Sequence, residues 1–193
     1  MRRMHKEFGS KSIHPRSPVT GPAGGFTLVE ALVAMAITVI GLTVGLPSYQ
    51  GLVERQRVSS AMHLLTAHMA AARNTAISER VPTVVCPASP SGGCRNDGDW
   101  SQRWLLFLDK DGNRQPNARA DILRDENAPI HPSLRIVSSQ GRLHLRYLPD
   151  GRSAGSNLSV RLCREDRLMG LVIVNNVGRI RSETVSRPRA CMG

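Results

Sequence analysis

The sequence contains none of the short patterns that usually announce catalysis. No Gly-x-Ser-x-Gly occurs, so no nucleophile elbow is encoded. His63 and His68 are five apart and no His-Glu-x-x-His is present, which removes the helical zinc-protease arrangement. No Cys-x-x-Cys exists, and no histidine stands at ligand spacing from Cys86, Cys94, Cys163 or Cys191, which argues against zinc. The glycines of Ser91-Gly92-Gly93 fall between two cysteines rather than in a phosphate-binding turn. Asp109-Lys110-Asp111-Gly112-Asn113 places its glycine fourth instead of sixth and has no bidentate glutamate downstream, so it reads as a turn between strands and not a calcium loop. No enzyme, metal or cofactor is predicted. Aromatics are only 4% of residues and Tyr147 is the last of them, so the C-terminal region has no platform for stacking bases. Lysine is also scarce: downstream of residue 25, Lys110 is the only one, although the chain carries a net charge of +11.

What the chain does have is one long apolar run. Residues 26–46 hold a single formal charge, Glu30. At about 1.5 Å per residue they make a helix of roughly 30 Å, the thickness of a bilayer's hydrocarbon core. A carboxylate near the start of such a span is costly unless something pairs it, which makes Glu30 a functional candidate. Residues 1–25 carry Arg2, Arg3, Lys6, Lys11 and Arg16 against Glu7, with Pro15, Pro18 and Pro22 opposing helix. This positive leader keeps the N-terminus cytoplasmic and sends everything after the span to the periplasm. No small-x-small cleavage site sits between a short apolar core and a soluble domain, which argues against an ordinary signal-anchor with a chance glutamate.

Gly25-Phe26-Thr27-Leu28-Val29-Glu30 resembles the class III signal of type IV prepilins and type II secretion pseudopilins. The resemblance implies that a prepilin peptidase cuts after Gly25 and methylates the new N-terminal Phe26. It further implies that Glu30 pairs with the N-terminal ammonium of a neighbouring subunit during assembly, and that Pro47 is the proline that loosens the helix. Three segments follow: a leader over 1–25, a hydrophobic transmembrane and assembly helix over 26–53, and a periplasmic globular domain over 54–193. The last, about 140 residues, suffices for one domain.

After Ser48-Tyr49-Gln50-Gly51 a helical pattern resumes. Val58, Met62, Leu65, Met69, Ala72 and Ala76 form one apolar stripe, while Arg55, Arg57 and Arg73 fall largely off it. Val81-Pro82 ends the helix. Beyond it, short branched runs begin at Thr83, Trp104, Leu134, Leu143, Leu158 and Leu171, separated by turns such as Pro149-Asp150-Gly151 and Asn176-Val177-Gly178. No second long helix is encoded. The predicted fold is α+β and type IV pilin-like: one long helix packed on a mainly antiparallel sheet, with Arg146 and Arg161 on wet strand faces.

Four cysteines in the periplasm predict disulfides, with three possible connectivities. The spacing favours Cys86 with Cys94 and Cys163 with Cys191. Cys86-Pro87, Trp104-Leu105-Leu106-Phe107-Leu108-Asp109, Leu148-Pro149-Asp150-Gly151-Arg152, Cys163 and Gly178-Arg179-Ile180-Arg181, in this order, are similar to the FimT and GspH minor pilins.

Seven arginines lie between 161 and 193, against Glu165, Asp166 and Glu183. In an extended segment Arg179 and Arg181 project to one side, roughly 6–7 Å apart, a spacing that engages successive phosphates. In FimT proteins a Gly-Arg-x-Arg motif is implicated in DNA binding during natural transformation. The resemblance therefore implies phosphate contact with double-stranded DNA through Gly178, Arg179 and Arg181, helped by Arg161, Arg187 and Arg189. Alternatives remain: arginines that pair with Glu183 or protect an edge strand, a GspH-like subunit that primes pilus or pseudopilus assembly, or a tip adhesin for an acidic polymer. Expected partners are other pilins, the prepilin peptidase and the inner membrane, followed by an extracellular pilus.

Overall fold

The computed structural model describes residues 25–128, 131–185, 187 and 189–191, so most of the expected leader and the side chain of Pro47 lie outside the described residues. One helix, α1 (Leu28–Glu79), opens the fold. Thr27 caps it: its Oγ1 accepts the Glu30 N–H at 3.2 Å and its carbonyl accepts the Ala31 N–H at 3.0 Å. Threonine at the cap with glutamate three positions on is a capping-box sequence, and an acid suits the positive end of a helix. Glu30 therefore has a local reason to be there in addition to any role in assembly. The backbone stays helical through residues 47–51, where the sequence suggested an interruption. Proline removes one donor, and the bonds on either side continue the helix.

The chain divides into two compact units between Leu46 and Pro47. In the first, the apolar side chains are exposed, Phe26 at 84% and Ile37 at 65%. By length and composition this part of α1 is able to cross a membrane.

In the second unit the apolar stripe is buried: Val58, Met62, Leu65, Met69, Ala72 and Ala76 are all in the core. Eight strands follow: β1 (Thr83–Pro87), β2 (Arg103–Leu108), β3 (Ile122–Asn127), β4 (Leu134–Ser138), β5 (Leu145–Tyr147), β6 (Leu158–Arg164), β7 (Arg167–Val174) and β8 (Ile180–Thr184). All pairings between them are antiparallel. They form two four-stranded sheets, β3-β2-β1-β5 and β4-β6-β7-β8, where the sequence suggested one. The division falls between β4 and β5, which are consecutive in sequence but pair with β6 and β1 respectively. Alternation of polar and apolar residues tells which face is buried, not which strand is the partner.

Both sheets and the helical stripe share one core, with Trp104 and Tyr147 from the first sheet and Ile136, Val160 and Val172 from the second. Leu65 and Met69, fully buried, contribute about 1.5–3 kcal/mol each in transfer free energy. The Thr83 hydroxyl donates to the Ala72 carbonyl at 2.7 Å, joining the start of β1 to the helix. β3 and β8 carry few apolar residues, so the branched runs that mark the other strands are missing from them. The expected strand at 143–148 is reduced to β5, leaving Leu143 and His144 in the preceding segment.

His68 is the unusual member of the core. It is 1% exposed, meets Trp104 edge-on at 5.8 Å between ring centroids, and leaves Nε2 buried without a partner. Its Nδ1 is 3.6 Å from Glu126 Oε2, too long for a direct hydrogen bond. Burial lowers its pKa from 6.5; Glu126 opposes this and Arg124 reinforces it. The folded state thus holds fewer protons on this ring than the unfolded chain, so stability falls as pH drops below 6.5. His144 is shifted in the same direction. In urea unfolding, His68→Leu should flatten the loss of stability on acidification below pH 6.5 without abolishing it; an unchanged profile refutes the assignment.

Candidate nucleic-acid interface

The arginines singled out in the C-terminal region are distributed along and beside β8. Asn175 to Gly178 form the turn between β7 and β8, closed by the Gly178 N–H on the Asn175 carbonyl at 2.9 Å. The Asn175 side chain accepts the Arg179 N–H at 2.9 Å, which sets the backbone at the entrance to β8. The register of β8 on β7 places Ile180, Ser182 and Thr184 opposite Val174, Val172 and Gly170, the residues facing the core. Arg181 and Glu183 therefore face outward. Arg161 is on the same outer face, in a row through Leu171 to Glu183. Two strand spacings put it about 10 Å from β8.

Arg187 and Arg189 are held at the other end of β8. The Leu168 N–H donates to the Arg189 carbonyl at 2.9 Å and the Cys191 N–H to the Asp166 carbonyl at 2.8 Å. A disulfide joins Cys163 to Cys191 with Cα atoms 5.8 Å apart, and a second joins Cys86 to Cys94 at 5.6 Å. The first of these pins the tail beside the β6–β7 turn. Arg187 and Arg189 line a hollow of about 350 Å³ with Leu171, Glu183, Thr184 and Val185. The result is a basic strip with Arg179 and Arg181 at one end and Arg187 and Arg189 at the other, interrupted by Glu183.

Among the described residues, one ion pair falls within this group, Arg181 Nη2 with Glu183 Oε1 at 3.1 Å. Both side chains are largely exposed, so the pair is worth at most about 1 kcal/mol and does not hold Arg181 away from another anion. Two of the arginines in the wider region are structural instead. Arg164 meets Glu54 at 2.7 Å, tying β6 to α1, and Arg146 pairs with the fully buried Asp109 at 2.6 Å.

Gly178 has a role that its expected service to the arginines did not include. It has φ +80, and a Cβ there would overlap the Gly151 carbonyl oxygen. The two glycine turns are thus packed backbone to backbone. Arg73 of α1 clasps both: its Nε donates to the Gly151 carbonyl at 2.9 Å and its Nη2 to the Val177 carbonyl at 3.2 Å. The Tyr147 hydroxyl reaches the Gly178 carbonyl at 3.5 Å, and burial pushes that phenol well above its ordinary 10.0, so it remains a donor. Sequence reasoning missed Arg73 because its partners are main-chain carbonyls, which leave no side-chain pattern to read. Gly178→Ala combines a left-handed backbone with a steric overlap and should destabilise the chain by about 1–3 kcal/mol or more. A denaturant midpoint equal to that of the unsubstituted chain would show that the two turns do not depend on this contact.

Comparison with known proteins agrees with the fold. The family model for the type II transport protein GspH matches residues 61–178, and that for the prokaryotic N-terminal methylation motif matches residues 22–46. Among solved structures, the type IV minor pilin FimU of Pseudomonas aeruginosa (strain PAO1) is similar in two crystal forms. One has a TM-score of 0.56 and 21% identity, over 72% of this chain and 98% of FimU. The other has a TM-score of 0.50 and 20% identity, over 69% and 98%. The minor pseudopilin EpsH of the Vibrio cholerae type 2 secretion system follows at 0.45 and 10%, over 67% and 98%. No curated protein matches the sequence. Since the GspH match alone spans more than half of the residues, behind a methylation motif at the head of a long apolar helix, the chain belongs to the GspH family of type IV pilin-like proteins, the minor pilins and pseudopilins of type IV pili and type II secretion.

Proposed function

We propose that this protein is a minor pilin of a type IV pilus that binds double-stranded DNA through its phosphates and contributes to DNA uptake in natural transformation. The carrying observation is the exposure of Arg179 and Arg181 at a turn whose backbone is fixed by Arg73, with Arg161 on the same outer face. A preorganised turn fixes the main chain from which these side chains project, so less backbone ordering is required when a ligand arrives. Arginine's planar fork suits phosphate oxygens. Arg187 and Arg189 extend the strip. Contact of this kind reads no bases, so binding is non-specific, weak per subunit, and raised by avidity along a filament.

Assembly belongs to the other end of the chain. In this reading the 1–25 leader is removed by the prepilin peptidase after Gly25 and Phe26 is methylated. Residues 26–53 hold the subunit in the inner membrane with residues 54–193 in the periplasm, until neighbouring pilins take over the helix. Glu30 and Pro47 serve that packing, Glu30 by pairing with a neighbour's N-terminal ammonium.

A second reading is favoured by the Arg181–Glu183 pair: arginines that shield the open edge of β8, in a subunit that primes assembly of a pilus or secretion pseudopilus. The two readings separate in one titration. The full chain in a nonionic detergent, oxidised, should bind random-sequence duplex DNA with an affinity that falls steeply with salt. Arg179→Gln/Arg181→Gln should weaken binding at least about tenfold and reduce the slope of log K against log salt by about 2. No binding by the unsubstituted chain at low salt overturns the DNA reading and leaves assembly priming.

A further inference from the structure

Three guanidinium groups and an imidazole converge on a concavity away from the strip along β8. Arg114 comes from the loop after β2, Arg142 and His144 from the segment leading into β5, and Arg146 from β5 itself. Together with Gly155 and Ser156 of the loop before β6, they line a cleft of about 320 Å³.

The charge in this cleft is not neutralised from within the chain. Asp109 is the carboxylate beside it, and both of its oxygens are engaged: Oδ2 accepts from Arg146 Nε at 2.6 Å and Oδ1 from the Arg114 main-chain N–H at 3.0 Å. That pairing offsets Arg146 and leaves the guanidinium groups of Arg114 and Arg142 without a carboxylate among the described residues. Arg142 is partly buried and held by neutral acceptors only. Its Nη1 donates to the Ala154 carbonyl at 2.6 Å and its Nη2 to the Ser153 hydroxyl at 3.3 Å, while Nε is buried with no partner. Gly155 allows this placement, since a Cβ at its position would overlap Arg142 Nη1. A guanidinium drawn out of water without a counter-charge is costly, and a second cation beside it adds to the cost.

We propose that this cleft binds a phosphate-class oxyanion. Its donors come from three chain segments rather than one plane, which suits a tetrahedral anion better than a planar carboxylate. His144 supports the assignment. Burial lowers its pKa from 6.5, Arg114, Arg142 and Arg146 lower it further in that order of effect, and Asp109 alone opposes them. A bound anion offsets that field, so binding raises the pKa of His144. The ligand is either a free phosphate or a phosphodiester of a nucleic-acid backbone. The proposal does not depend on the DNA role assigned to Arg179 and Arg181.

The test follows the His144 ring signals by NMR in the full chain, in a nonionic detergent, across a pH titration. His144→Gln assigns the signals, and chloride at matched ionic strength is the control. Inorganic phosphate should raise the His144 pKa toward or above 6.5. Arg114→Gln should weaken that response about tenfold, the loss of one charge-assisted contact. Arg114 is exposed, so this variant keeps its fold; Arg142→Gln, which also removes two internal bonds, is the second variant. A parallel arm replaces phosphate with a short DNA duplex. A shift with duplex but not with inorganic phosphate assigns the site to phosphodiesters. No shift with either, or a shift that persists undiminished in Arg114→Gln, overturns the proposal. Loss of DNA binding in Arg179→Gln/Arg181→Gln leaves the inorganic arm unaffected, so the two proposals fail separately.

Discussion

Burial of a single helical stripe is the constraint on which the domain depends. Val58, Met62, Leu65, Met69, Ala72 and Ala76 present one continuous apolar edge, and each sheet covers part of it. Neither four-stranded sheet alone would close the core, because both turn their apolar faces to the same helix. The side chains allowed on α1 change accordingly between its two parts. In the first, the apolar residues are exposed all round, as an apolar surrounding permits; in the second, the exposed off-stripe positions include Arg55, Ser60 and His63.

The abundance of arginine gains a structural explanation once its partners are visible. Arg73 clasps two turns through their carbonyls, Arg146 neutralises a buried aspartate, and Arg164 ties β6 to Glu54 on the helix. These are uses of a long, forked donor inside a small domain with few aromatics. Arg179, Arg187 and Arg189 are different: they are exposed and stand on turns and edges whose backbone is held by other groups. A composition rich in arginine is therefore two populations, and only contact geometry separates the structural ones from those free to meet an anion.

The glycine of the Gly-Arg-x-Arg stretch illustrates how such a motif combines roles. Its left-handed backbone makes the turn before the arginines, as the sequence suggested. Its missing side chain also lets that turn lie against the Pro149-Asp150-Gly151 turn, with Arg73 closing over both. Two motifs about thirty residues apart are thus one structural joint. The glycine is built into the fold through its main chain, whereas the Arg179 and Arg181 side chains are exposed.

Much of the architecture was legible in the residues. The apolar run of 26–46, the stripe of α1, the end of the helix before Pro82 and six of the eight strand locations follow from local periodicity and from proline, which act over a few residues and need no knowledge of neighbours. β3 and β8 were not among them, because Ile122–Asn127 and Ile180–Thr184 are mostly polar or charged and offer no apolar alternation; around Arg179 and Arg181 the residues suggested only an extended segment. The split into two sheets, the convergence of Arg114, Arg142 and His144 on one cleft, and the clasp of Arg73 on Gly151 and Gly178 were decided by tertiary structure alone. Each depends on which distant segments become neighbours, and long-range pairing is set by the shape of the shared core rather than by any short stretch of sequence.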